Sequence, residues 1–290
     1  MFHQAGLPAG VLNVLYHKPE DAAEVTNTLI EHNAIKKLNF TGSTAVGSIL
    51  AAKAGKELKP CLMELGGKAS AIVCDDADLE RAAFQSVLGA LVHAGQICMS
   101  TERILLHKSI ATKFGEEVKK AVEMIYPSSG EGPILVAKAA SEKNRKLVDD
   151  AVSKGAKILY GDPKAVESNP YRIRPLVVTD VKKGMDIYYT ESFGPTMSLM
   201  TYETDDEAIE LANDTEYGLS GAVFTENLGR GFRIARQINA GAVHINQMSV
   251  HDEASLPHGG VNKSGWGRFN SSNGLDEFLR IKTITFAEDI

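Results

Sequence analysis

Cys98 sits in the run His93-Ala94-Gly95-Gln96-Ile97-Cys98-Met99-Ser100, a glycine-containing turn between a helix and the strand that starts at Arg103. A thiol in such a turn is accessible, and a nearby base would make it a nucleophile. Glu64 ends an apolar strand just before Gly66-Gly67. Carboxylates at the carboxyl ends of parallel strands face the crevice where ligands bind, so Glu64 is placed to act as a general base, or is a surface residue at a strand end. Gly42-Ser43-Thr44-Ala45-Val46-Gly47 lies between a strand and a helix. Free backbone N–H groups and the helix dipole favour a phosphate there, although the same residues would also make a simple tight turn. The glycine spacing is that of a P-loop, but Ser48 stands where that motif needs lysine, which disfavours a nucleoside triphosphatase. Glu191-Ser192-Phe193-Gly194-Pro195 holds an acid and an aromatic ring at a Gly-Pro bend. They would suit a ribose and the face of a flat cofactor ring, or form an exposed turn.

Competing chemistries find little support. His93 lies five residues before Cys98 and would pair with it in a cysteine hydrolase, or else end the preceding helix, where the dipole favours a histidine. Cys61 and Cys74 fall inside apolar strands and read as small buried hydrophobes. The three cysteines make neither a disulfide framework nor a C-x-x-C pair, the eight histidines show no metal spacing, and H-E-x-x-H and G-x-S-x-G are missing.

The elements that must position these groups alternate in kind. Residues 11–16 read as a buried strand, 20–32 as a helix, 35–40 as a strand, a helix follows to Ala54 with Gly55 as its stop, and 58–64 reads as a strand. The pattern resumes with strand 69–74, helix 78–94 capped by Asp78, strand 103–107 and helix 109–124 capped by Ser109. Helices follow at 141–154, 205–213 and 227–238, with strands near 157–160, 174–179, 196–202, 220–224 and 241–246, and a terminal strand at 281–286. This alternation marks an α/β fold with a parallel sheet. Successive glycines at 66 and 67 mark the best boundary between two sheets.

Composition sets outer limits. With 290 residues, 43% of them apolar and 23% charged, the chain has the balance of a globular protein. The formal charge is −6 and the basic residues are scattered, which excludes the footprint of a nucleic-acid binder. No apolar run approaches the roughly 18 residues that a membrane span needs. The start MFHQAGLPAG lacks the regions of a signal peptide, so the expected setting is cytoplasmic.

Together, F-T-G-S-T-x-V-G at 40–47, E-L-G-G-K at 64–68, G-Q-I-C at 95–98, E-S-F-G-P at 191–195 and N-D-T-E-Y-G-L-S at 213–220 resemble the aldehyde dehydrogenase superfamily. The likeness runs through Gly259-Gly260 and Ser264-Gly265 to the end of the chain. It implies a partial Rossmann-like cofactor domain at 1–66, a catalytic domain at 67–263, and a segment at 264–290 that returns to the cofactor domain and ends in an oligomerisation strand. It implies NAD or NADP as cofactor and a small-molecule aldehyde as substrate. Carried over residue by residue, Cys98 is the nucleophile and its N–H half of the oxyanion site, and Glu64 is the base that activates water. Gly42, Ser43, Gly47 and Leu65 meet the cofactor with Glu191 and Phe193, while His258 and Asn246 line the substrate pocket. G-Q-I-C-M-S-T-E-R and Val250-His251-Asp252-Glu253 look most like the branch that oxidises aromatic aldehydes such as salicylaldehyde or vanillin.

The resemblance also has departures. His258 stands where that branch commonly has phenylalanine, and residues 125–133 lack the family's usual Gly-(Asn/Asp)-Pro turn. Set against the family, the chain starts inside the cofactor domain. The first two strands of that domain, a Trp-Asn pair supplying the second oxyanion donor, a ribose-binding lysine and the hairpin that pairs with a neighbouring subunit's terminal strand have no counterpart. Three strands and two helices of that domain are therefore expected, with an edge and an apolar face uncovered. Two alternatives to an active dehydrogenase follow: a catalytically impaired relative that serves as a binding or assembly module, and a cofactor-independent thiol esterase.

Overall fold

The computed structural model describes residues 1–287. Its first part holds α1 (Ala22–Glu31), β1 (Leu38–Thr41), α2 (Thr44–Lys56) and β2 (Cys61–Glu64). Next come β3 (Ala69–Val73), α3 (Leu79–Leu91), β4 (Thr101–His107), α4 (Ala111–Ile125), α5 (Lys138–Ser153), β5 (Lys157–Tyr160) and β6 (Leu176–Thr179). They are followed by α6 (Asp186–Tyr189), β7 (Thr196–Tyr202), α7 (Asp205–Asn213), β8 (Ser220–Phe224), α8 (Leu228–Ala235) and β9 (Ala242–Ile245). The chain returns through β10 (Gly265–Trp266) and α9 (Ser271–Asp276).

Seven strands form one sheet in the order β5-β6-β7-β4-β3-β8-β9, all parallel except β5, which runs antiparallel to β6. Parallel sheets carry helices on both faces, so their strands are apolar on both sides. Alternation along β3 and β4 shows this directly. Ala71, Val73, Ile104 and Leu106 pack with Ala83, Val87, Phe114 and Val118 of α3 and α4. Ile72 and Leu105 pack on the opposite face with Leu147 and Val148 of α5, Ala208 of α7 and Ile234 of α8.

A second, three-stranded sheet has the order β1-β2-β10, with β1 parallel and β10 antiparallel to β2. Its third strand was expected at 11–16 and is supplied instead by β10. Residues 11–16 have no strand partner among the described residues, and Val11, Leu12, Val14, Leu15 and Tyr16 are exposed. An apolar run becomes a strand only where another backbone pairs with it. The same holds for the terminal strand expected at 281–286, where Ile281, Ile284 and Phe286 stand exposed. Of the segment 264–290, the last three residues lie outside the described part.

Local signals fared unevenly. Asp78 caps α3 by accepting from the Arg81 N–H at 3.2 Å. Ser109 does not cap α4: it sits in a 3-10 turn, its hydroxyl 2.7 Å from His107 Nδ1. Gly55 lies inside α2, and the reversal falls on Leu58 at φ 53, with Lys59 N–H donating to the Ala54 carbonyl at 2.8 Å. Helix α3 ends at Leu91, because His93 and Ala94 take left-handed values of φ 50 and 59.

Candidate active site

Glu64 is the last residue of β2 and is paired on both sides, with Thr41 of β1 and Gly265 of β10. Its carbonyl accepts the Gly42 N–H at 3.0 Å, and the next residue, Leu65, donates to the Ser264 carbonyl at 3.0 Å. Ser264 then joins the two sheets, its hydroxyl donating to the Gly66 carbonyl at 2.6 Å and accepting from the Gly218 N–H at 3.0 Å. The strand end that carries Glu64 is thus fixed from three directions.

Cys98 lies in the turn that follows α3. Gln96 anchors this turn by accepting from Val136 N–H at 2.8 Å and donating to the His93 carbonyl at 3.2 Å. Behind it, the Ser249 hydroxyl donates to the Met99 carbonyl at 2.7 Å. The Cys98 carbonyl lies hard against Gly67, where a Cβ would collide with it. Glycine there is a requirement of close approach. His93, by contrast, is exposed beyond the kink.

Glu191 completes the group. One of its oxygens accepts the Gly67 N–H at 2.8 Å. The turn that carries it hangs from Glu102, which accepts from Ser192 N–H at 2.8 Å and Phe193 N–H at 3.1 Å. Glu102 is in turn paired with Lys68, whose ammonium also donates to the Thr190 carbonyl at 2.7 Å. Phe193 takes a left-handed φ of 49, a costly conformation that these bonds hold in place.

Thr41, Gly42, Ser43, Glu64, Leu65, Gln96, Cys98, Lys143, Glu191 and Phe193 line one cleft of about 600 Å³. Gly47 lies beneath it in the first turn of α2, packed against the Leu65 side chain. Ser43 caps α2, accepting from Val46 N–H at 3.4 Å. The first-turn N–H groups of such a helix have no partner within it, so they suit the oxygens of a diphosphate.

Burial pushes the Cys98 thiol up to about 11, and the carboxylates of Glu64 and Glu191 add to the shift. Glu191 itself is raised from the ordinary carboxylate range, chiefly by burial. Glu64 is 5% exposed and its Oε1 has no hydrogen-bond partner. Its Oε2 lies 3.1 Å from His258 Nε2. An unpaired carboxylate oxygen and a thiol facing one cleft are the groups needed to form and hydrolyse an acyl-thiol intermediate.

Two expected residues are placed differently from the rest. His258 stands behind Glu64. Asn246 is not brought to the cleft: its side-chain amide bridges the Thr225 N–H at 3.0 Å and the Thr225 carbonyl at 2.9 Å, closing the ends of β8 and β9. Lys68, Glu102 and Ser264, which shape the site, were not singled out from sequence, although each falls inside or beside a motif that was. Among the described residues no helix is long and apolar enough to cross a membrane, and no group of three His, Cys, Asp or Glu is placed to hold a metal.

The aldehyde dehydrogenase family profile matches residues 1–284. The chain belongs to that family. It is 39% identical to the vanillin dehydrogenase of Pseudomonas fluorescens, over 98% of this chain and 59% of the relative. The crystal structure of a salicylaldehyde dehydrogenase from Pseudomonas putida G7, complexed with salicylaldehyde, superposes with a TM-score of 0.91 at 39% identity. That match covers 99% of this chain and 60% of the other. An NAD-dependent aldehyde dehydrogenase from Sinorhizobium meliloti matches with a TM-score of 0.89 at 34% identity, over 97% of this chain and 56% of the other. This member of the aldehyde dehydrogenase family thus spans about three fifths of the length of the relatives it matches.

Proposed function

We propose that the chemistry of this chain is the NAD- or NADP-dependent oxidation of an aldehyde, aromatic in kind, to a carboxylic acid. The observation that carries the proposal is the convergence of Cys98, Glu64, Glu191 and the capped start of α2 on one cleft. The relatives named for vanillin and salicylaldehyde support the aromatic substrate. The cofactor fits the residues present: Gly42, Ser43 and the first turn of α2 would hold the diphosphate, with Glu191 and Phe193 at the nicotinamide ribose. Bound there, the nicotinamide supplies the hydride acceptor.

Cys98 gives its thiol proton to Glu64, which passes it to solvent, as the sulfur bonds to the aldehyde carbon, and the Cys98 backbone N–H steadies the oxygen that becomes negative. Loss of hydride from that carbon leaves a thioester. Glu64 Oε1 then takes a proton from water as the water oxygen adds to the thioester carbonyl. The C–S bond breaks, the acid departs, and Cys98 regains its proton. Splitting the oxidation this way replaces one hard step with two easier ones. We assign residues 1–66 and 264–290 to the cofactor side, residues 67–263 to the thiol side, and a cytoplasmic setting that keeps the three free cysteines reduced.

Purified chain mixed with NAD or NADP and a benzaldehyde-type substrate should produce reduced cofactor, followed by its absorbance. A rate no higher than that of Cys98→Ser overturns the proposal. The exposed apolar stretch 11–16 favours a second reading, in which the chain associates with copies of itself as an assembly module that does not hold the cofactor. Calorimetric titration with NAD separates the two, because micromolar binding contradicts a module that has lost the cofactor.

A further inference from the structure

His258 has no role in the chemistry proposed above, yet among the described residues it is the one side chain paired with the Glu64 carboxylate. Its Nε2 lies 3.1 Å from Glu64 Oε2, and its Nδ1 lies 3.8 Å from Asp252 Oδ1. The ring is held from both sides. His258 and Phe269 exchange backbone hydrogen bonds of 3.0 and 2.7 Å, and Asn270 donates to Asp252 Oδ1 at 2.9 Å. Asp252, His258 and Glu64 thus form a line of acid, imidazole and acid that runs from the half-exposed surface to the cleft.

The groups that face the ring are Glu64 from β2, Asp252 from the segment before it, and Arg268 from the segment after β10. Arg268 opposes a positive charge there, but its Nη1 is directed to the Gly260 and Gly267 carbonyls at 3.0 and 2.7 Å. Beyond Glu64 stands the Cys98 thiol, which feels the charge of that carboxylate.

From this geometry we propose that His258 is a positioning residue for the Cys98 and Glu64 pair: protonated, it holds Glu64 Oε2 and cancels its charge, and neutral, it leaves that charge to act on the thiol and on water. The inference rests on the proposed roles of Cys98 and Glu64. Pairing with Glu64 is also the largest cause raising the His258 imidazole above its ordinary value, against the opposing effect of burial. As pH rises through the titration of His258, the cleft gains a negative charge, which disfavours the thiolate.

The test is the pH dependence of Cys98 alkylation by iodoacetamide, followed on the Cys98 peptide by mass spectrometry, beside the pH dependence of kcat for aldehyde oxidation. In the natural chain both should show an inflection at the His258 titration. His258→Gln keeps a hydrogen-bond donor but cannot titrate. It should remove the inflection and slow alkylation at pH 6 by about three- to tenfold, as loss of one nearby compensating charge predicts. Asp252→Asn should shift the inflection to lower pH. An inflection unchanged in both variants overturns the assignment. If the alkylation inflection disappears while no preparation oxidises aldehyde, the role of His258 stands and the dehydrogenase proposal falls. If oxidation proceeds and neither profile changes, the role of His258 falls and the dehydrogenase proposal stands.

Discussion

Lys68 and Glu102 meet 2.5 Å apart as an ion pair with side chains only 1% and 4% exposed. Burial lowers the Lys68 ammonium from its ordinary value, and the charge of Glu102 counters that shift. Through Glu102 the pair suspends the turn that carries Glu191.

Removing one member of a buried pair leaves the other charge uncompensated, which costs about 3–5 kcal/mol. Lys68→Met should therefore lower the urea midpoint strongly and weaken NAD binding through the Glu191 turn. The double variant Lys68→Met with Glu102→Leu should be less destabilised than the sum of the two single variants. Additive costs would mean that the pair is not coupled.

At Gly67 the obstruction is backbone. A methyl group there must displace the Cys98 carbonyl, and overpacking of this kind typically costs about 1–3 kcal/mol. Gly67→Ala should lower the melting temperature and change the alkylation rate of Cys98. Unaltered Cys98 reactivity would show that the turn can move aside freely.

Arg230 pairs with Asp205 at 2.5 Å and with Asp75 at 2.7 Å, and both carboxyls are held below their usual range. A depressed carboxyl stabilises the fold above its unfolded pKa of about 4, and that stability is lost as pH falls through the folded value. Urea unfolding between pH 3 and 7 should thus show a steeper acid loss in the natural chain than in Arg230→Met. Parallel curves would remove the network from the acid response.

Residues 11–16 expose Leu12 at 54% and Leu15 at 72%. Contiguous apolar surface favours association. Sedimentation should show mass rising with concentration, and Leu12→Lys with Leu15→Lys should reduce it. Equal behaviour of the two chains would place any association elsewhere.

Apart from Ser109 and Gly55, which did not act as the expected cap and stop, features that depend on near neighbours were legible in the sequence. Asp78 as a cap, the two-sided apolar strands β3 and β4, and the placing of Cys98, Glu64 and Glu191 at element ends all follow from local spacing. What stayed hidden depends on distant partners. Nothing local distinguishes residues 11–16, which pair with no strand among the described residues, from β3, which pairs on both sides. β10 is two residues long and has no periodicity to detect. Glu102 in C-M-S-T-E-R and Lys68 in E-L-G-G-K are ordinary charged residues until the sheet sets them face to face.

The Ser264 hydroxyl closes on the Gly66 carbonyl across 198 residues of chain. Loop-closure entropy must be overcome before such a contact can form, and domains generally fold as units while synthesis proceeds. The seven-stranded sheet, complete at Ile245, can assemble on the ribosome before β10 emerges. Glu64 then waits on a strand paired with β1 alone, so a nascent chain would have Cys98 in place well before the surroundings of Glu64 are complete.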